Sequence, residues 1–184
     1  MFVDAHLHAV RKKGLPRNAA YSDYATPEEV SAKMDRTGVD RGILLPLISP
    51  EGGFQLSTTE DVLEICETYP HRFYAFCNVD PRAGSHAPDA DLSFHLNYYK
   101  HQGCLGVGEI TAGFNGFTRD PEFGWSFMER LNDRILFGTE ICDPLVSHRH
   151  PDYLRTSFAE GRISREAFEN ISWRNANQLF GLGL

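Results

Sequence analysis

The chain has 184 residues, 41% of them hydrophobic and 23% charged, which suits one ordinary domain with a sizeable core. Eighteen basic residues stand against 25 acidic ones for a formal charge of -7, and no basic cluster exceeds Arg11-Lys12-Lys13, so no nucleic-acid partner is expected. Cys66, Cys77, Cys104 and Cys142 are widely spaced, the start MFVDAHLHAV is no secretory signal, and no apolar run approaches the roughly 18–20 residues of a membrane helix; these features predict a cytoplasmic protein with reduced thiols and no membrane partner.

Residues 1–7 read as a short buried strand ending in histidines, followed by a long loop marked by Gly14, Pro16, Asn18 and Ser22. Thr26-Pro27-Glu28-Glu29 supplies an N-cap, a proline at the first helical position and a capping-box glutamate, predicting a helix to about Thr37 that stops at Gly38, with Val30 and Met34 inward. A second buried strand is predicted over 41–47. A helix over 59–69 follows, carrying Val62, Leu63, Ile65 and Cys66 at helical spacing. The alternation continues with a strand at 73–79, a helix at 91–101 with Leu92 and Leu96 inward, and a strand at 104–110. The rhythm then breaks: residues 111–119 are rich in Gly, Asn and Thr, a helix opens near Pro121, residues 135–139 form one more strand, and the tail from His148 is helical in two pieces.

This pattern is α/β with parallel strands. A closed (β/α)8 TIM barrel needs eight strands and about 250 residues. Five βα units are recognisable here, so an incomplete TIM-barrel-like fold is expected, as a single domain over residues 1–184.

In Val3-Asp4-Ala5-His6-Leu7-His8 the histidines are one residue apart, and the strand period of two points both imidazoles to one face. Neutral imidazoles suit zinc and similar divalent ions, whose bound water becomes a nucleophile near neutral pH. Two polar residues at a strand end are the plain alternative for such a lone pair.

Glu109, in Gly106-Val107-Gly108-Glu109-Ile110, and Glu140, after Ile135-Leu136-Phe137-Gly138-Thr139, both fall near the carboxyl ends of predicted strands, where parallel barrels collect their catalytic groups. Each is a candidate metal ligand, and Glu140 is also a candidate proton acceptor. The plain alternatives are a salt bridge or helix-start contact for Glu109 and a loop acid pairing with Arg134 or Arg149 for Glu140, the functional reading of Glu140 gaining from the company of His6 and His8. His148-Arg149-His150 precedes Pro151 and reads as surface. Cys142 and Asp143 fall beside Glu140 without forming a nucleophile arrangement.

Taken in order, DAHLH, GVGEI, RILFGTE and the closing NISWRNANQLFGL resemble the amidohydrolase-related branch of the amidohydrolase superfamily over nearly the whole chain. The resemblance implies a metal-dependent TIM barrel, commonly with zinc, that hydrolyses amides or esters or, in some subgroups, decarboxylates aromatic acids and related compounds. The family pattern of an acidic residue followed by His-x-His maps onto Asp4, His6 and His8 and makes His6 and His8 metal ligands. The family's last strand ends in Gly-Thr-Asp, where this chain has Gly138-Thr139-Glu140, and an arm one methylene longer moves the oxygens by more than about 1 Å, enough to lower a rate about 100-fold. Histidines from the family's fifth and sixth strands have no counterpart between Ile110 and Phe123, which implies an internal deletion with its junction near 111–117.

The expectation is a hydrolase holding one divalent ion, zinc first, on His6, His8 and Glu140 or Glu109, acting on a small-molecule amide, ester or lactone with Glu140 as general base. A metal-dependent decarboxylase and a non-catalytic, homo-oligomeric barrel remnant are the alternatives.

Overall fold

The computed structural model describes residues 1–16, 23–47, 57–79, 91–108, 121–143 and 149–184. Its regular sheet has three parallel strands in the order β1 (Val3–Leu7), β2 (Arg41–Leu44) and β3 (Phe73–Ala75). Each crossover between them contains a helix, α1 (Pro27–Thr37) and α2 (Thr59–Thr68), as the connection between parallel neighbours demands. Further helices follow as α3 (Ser93–His101), α4 (Pro121–Arg130) with a 3-10 turn at Asn132–Arg134, and α5 (His150–Ala159). The tail runs from α6 (Arg165–Glu169) through a π turn (Asn170–Arg174) into α7 (Asn175–Phe180).

Two extended segments widen the sheet. Beyond β3, Val107 makes a parallel bridge with Cys77, supported by Leu105 N donating to Ala75 O at 2.8 Å and Gly108 N to Cys77 O at 3.0 Å. Beyond β1, Ile141 bridges Leu7 in parallel, with Ala5 N donating to Phe137 O at 2.8 Å, Glu140 N to His6 O at 2.9 Å and His8 N to Ile141 O at 3.1 Å. The spatial order is therefore 137–141, β1, β2, β3, 105–108, a mixed α/β architecture around a parallel sheet.

Local chemistry explains the helices. Thr26 and Glu29 form the expected reciprocal cap on α1, and Gly38 closes it in the left-handed region at φ 66°. Thr58 and Asp61 do the same for α2, a box that aspartate rather than glutamate completes. Val30 and Met34 from α1 and Val62 and Ile65 from α2 share one buried cluster with Leu7, Leu44 and Phe73 of the strands. Phe2 ties the far side together: its ring meets Phe137 edge-on at 5.0 Å and Phe168 at 5.6 Å, while the Arg155 guanidinium lies 4.5 Å over it.

The strands are shorter than the sequence pattern suggests. β2 ends at Leu44 and β3 at Ala75, and the expected strands at 104–110 and 135–139 persist only as the bridged segments just described. α3 is less buried than its neighbours: Leu96 packs half-buried against the core as expected, Leu92 is half-buried, and Phe94 and Tyr98 are exposed. The expected deletion junction near 111–117 lies outside the described residues. Among those residues no helix is long and apolar enough to cross a membrane.

Side chains complete the pairing between β1 and 137–141. The carboxylate of Asp4, fully buried, accepts from His6 N and Thr139 N at 3.0 Å each through Oδ1, and from the Thr139 hydroxyl through Oδ2. The outer edge of 137–141 is sealed by the tail: Phe137 N donates to Ile171 O at 3.1 Å, inside the π turn, and Asn175 Nδ2 donates to Ile135 O at 2.9 Å and to Asn132 O. A widened turn leaves a carbonyl directed off the helix axis, which suits it to receive a donor from a strand.

Two stability predictions follow from these bonds. Asn175→Ala strips the carbonyls of Asn132 and Ile135 of a shared donor and is expected to cost about 1–3 kcal/mol, measured by urea unfolding. Burial pushes the Asp4 carboxyl from 3.8 up to about 7, outweighing the Thr139 and His6 hydrogen bonds that pull it down. A carboxyl raised on folding contributes its full stability below the unfolded value and loses it as pH climbs through the folded one. The unfolding free energy of the native protein, taken relative to Asp4→Asn, should therefore fall between about pH 4 and pH 7 and level off above. Asp4→Ala, which leaves three donors without their acceptor, should cost about 2–4 kcal/mol near pH 4, and the cost should shrink over the same pH range.

Candidate metal centre

His6 and His8 lie at the carboxyl end of β1, and their Nε2 atoms are 3.2 Å apart with the rings 79° from coplanar. Two imidazoles sharing one ion at about 2.0–2.1 Å across that gap would subtend roughly 100° at the ion, close to the tetrahedral value. The second histidine is oriented from behind. His8 is 3% exposed, and its Nδ1 lies 3.0 Å from the carbonyl of Leu45, which can only accept. The proton therefore sits on Nδ1 and the lone pair on Nε2 faces His6, the tautomer a metal ligand needs. Tyr24 meets the His8 ring edge-on at 6.4 Å.

β1 is irregular at this point. Asp4 pairs with Gly42 and Leu7 with Leu44, so β1 advances three residues while β2 advances two. An extra residue of this kind bends a strand and re-aims its side chains. The Asp4 carboxylate spans the bulge by holding His6 N.

The last extended segment reaches the same end of the sheet. A Cβ at Gly138 would stand 3.1 Å from the Cβ of His6, so the absence of a side chain permits this close approach. Thr139 is buried against Asp4, and Glu140 follows with its N–H on the carbonyl of His6. Glu140 has φ 60°, left-handed backbone that a residue with a side chain adopts at a cost of about 1–3 kcal/mol. Its side chain is exposed, and Arg134, a sequence-level candidate partner, pairs instead with Asp133 at 3.8 Å.

The structure thus brings His6, His8 and the backbone of Glu140 together. Glu109 lies outside the described residues. Among the described residues no group of three or more His, Cys, Asp or Glu side chains is arranged to hold a metal. Among the described residues, the donors brought together that suit a divalent ion are the two imidazoles.

His150 opens α5 on the surface, and His148 is outside the described residues. Asp143 is 1% exposed, and the carbonyl of Cys142 accepts from Ala25 N at 2.8 Å. None of the four cysteines is in a disulfide, and burial pushes the thiols of Cys66 and Cys104 up to about 12, which removes them as nucleophiles at neutral pH. Tyr24 and the Leu45 carbonyl were not readable in advance: both act through position alone, without a motif.

No protein-family model matches the sequence, and no curated protein matches it. Solved structures do. An amidohydrolase II structure superposes with a TM-score of 0.61 at 12% identity, over 98% of this chain and 100% of that one. A structure described as a 2-pyrone-4,6-dicarboxylic acid hydrolase from Pseudomonas putida gives 0.50 at 13% identity, over 100% of this chain and 98% of that one. One described likewise from Acinetobacter baumannii, with citric acid bound, is 19% identical with a TM-score of 0.36; it aligns over 71% of this chain, which spans only 52% of it, a likeness too partial to carry weight. The chain shares with these structures a mixed α/β fold built on a parallel sheet.

Proposed function

We propose that the chain is a metal-dependent hydrolase of the amidohydrolase superfamily, acting on a small-molecule amide, ester or lactone. The observation that carries this reading is the 3.2 Å approach of two imidazole Nε2 atoms at a strand's carboxyl end, with His8 held in the ligating tautomer by Leu45. The fold, shared with structures described as hydrolases, supports it.

His6 and His8 would hold one divalent ion, zinc in the first instance, with a carboxylate from Glu140 or Glu109. When bound, such an ion activates water and polarises a carbonyl. The residues of this chain do the rest. Leu45 and the bulge at Asp4 fix the directions of the imidazoles. Glu140, on the carbonyl of His6, accepts the proton released as water adds to the substrate carbonyl, and returns it to the leaving group. The strained backbone at Glu140 accords with a functional position, where such strain concentrates.

The reading is tested by elemental analysis of protein purified without chelator. About one equivalent of zinc or another divalent ion is expected, lost in His6→Ala/His8→Ala. A folded protein with negligible metal, even after incubation with zinc or manganese, would sink the reading and leave a barrel relative with a non-catalytic role. Glu140→Gln should retain most of the metal but lower kcat on an accepted amide or ester by about 100-fold or more, with KM little changed, as loss of a general base does.

A further inference from the structure

We infer that Asp4 and Thr139 are positioning residues for the His6–His8 pair: the Asp4 carboxylate builds the bulge that turns His6 towards His8, and the Thr139 hydroxyl holds that carboxylate in place. In what it says of the metal, the inference rests on the function proposed above. In what it says of the histidines, it stands on geometry alone.

Three observations support it. First, the backbone N–H groups of His6 and Thr139 both donate to one carboxylate oxygen, at 3.0 Å each. The side chain of Asp4 therefore joins the two segments at this point. Second, this happens where β1 carries its extra residue, so the bond to His6 N spans the irregularity. Without that acceptor, regular pairing between Asp4 and Leu7 would shift His6 in register and turn its ring towards the other face of the sheet.

Third, the carboxylate is itself fixed. Its second oxygen takes the Thr139 hydroxyl, and the same hydroxyl oxygen accepts from Ile141 N at 3.2 Å, all among buried residues. Rotation of the Asp4 side chain is thus prevented from the opposite strand. Because Glu140 N bonds to His6 O, the assembly also sets where the chain of Glu140 passes the histidines. One carboxylate orders a ligand residue on each of the two segments that form the site.

The experiment is Co2+ titration, followed by the visible ligand-field bands, of the full chain and of Thr139→Val, Thr139→Ser and Asp4→Asn. It is paired with the imidazole 15N spectrum of each protein free of metal. Thr139→Val keeps shape and removes the donor, and should weaken Co2+ by about 10–100-fold, as loss of an orienting partner behind a ligand does. Its metal-free spectrum should show the His6 and His8 resonances shifted. Thr139→Ser and Asp4→Asn keep the hydroxyl and the shared acceptor oxygen respectively, and should bind within about threefold of the parent, the usual scatter for context.

Unchanged affinity and unchanged imidazole resonances in Thr139→Val overturn the inference. So does a loss in Asp4→Asn as large as that in Thr139→Val, since charge rather than position would then be responsible. If Thr139→Val does not fold, Thr139→Cys, a weak donor of similar size, takes its place with the same expectation. If the parent itself binds no Co2+, the hydrolase reading fails, and the metal-free imidazole spectra still decide the inference.

Discussion

The first strand lies beside a segment about 135 residues further along the chain, and the rest of the molecule depends on that pairing. Bringing two such distant points together costs about 4 kcal/mol in loop entropy alone, before any side chain is ordered. Apolar contact supplies the return. Phe2 meets Phe137 and Phe168 edge-on, and Leu7 and Ile141 are both fully buried where their strands bridge. Polar contact then selects the register. A carboxylate removed from water is unfavourable unless several donors converge on it. Asp4 has three such donors, two of them on Thr139, only when Gly138, Thr139 and Glu140 lie in one alignment against β1.

This division of labour explains why the histidines meet. A regular strand would orient His6 and His8 through alternation alone. Here β1 is irregular between Asp4 and Leu7, and the Asp4 side chain spans the irregularity beside the first of the two rings. Gly138 belongs to the same device, since a methyl group there would press against the Cβ of His6. The run Gly-Thr-Glu thus differs at each position: no side chain for close approach, a hydroxyl for the clamp, and an exposed carboxylate.

Much of this was legible in the sequence. The capping box at Thr26 and Glu29, the stop at Gly38 and the helix beginning at Pro121 depend on residues within a turn of one another, and local physics places them. The identity of the two histidines and of the strand end at Glu140 followed from spacing and resemblance. What did not follow depends on distant partners. The segment at 135–139 has the composition of a strand, yet its ladder with β1 is interrupted because the Asp4 side chain takes Thr139 N. The bulge has no local signature, because Val-Asp-Ala-His-Leu-His alternates acceptably as a plain strand. Leu96 packs against the core as its helical spacing predicts, yet it and Leu92 are only half-buried, since burial is decided by what packs beside α3 and not by α3 itself.

The π turn at Ile171 bears on how copies of this chain can meet. An open parallel sheet offers two edges, and head-to-tail joining through both would propagate without limit. Among the described residues, the Ile171 carbonyl and the Asn175 amide occupy the edge at 135–137, so the tail stands where an added strand would have to bond. A single carbonyl in a widened helical turn thus doubles as a guard on one side of the sheet, taking the donor that a foreign strand would otherwise seek.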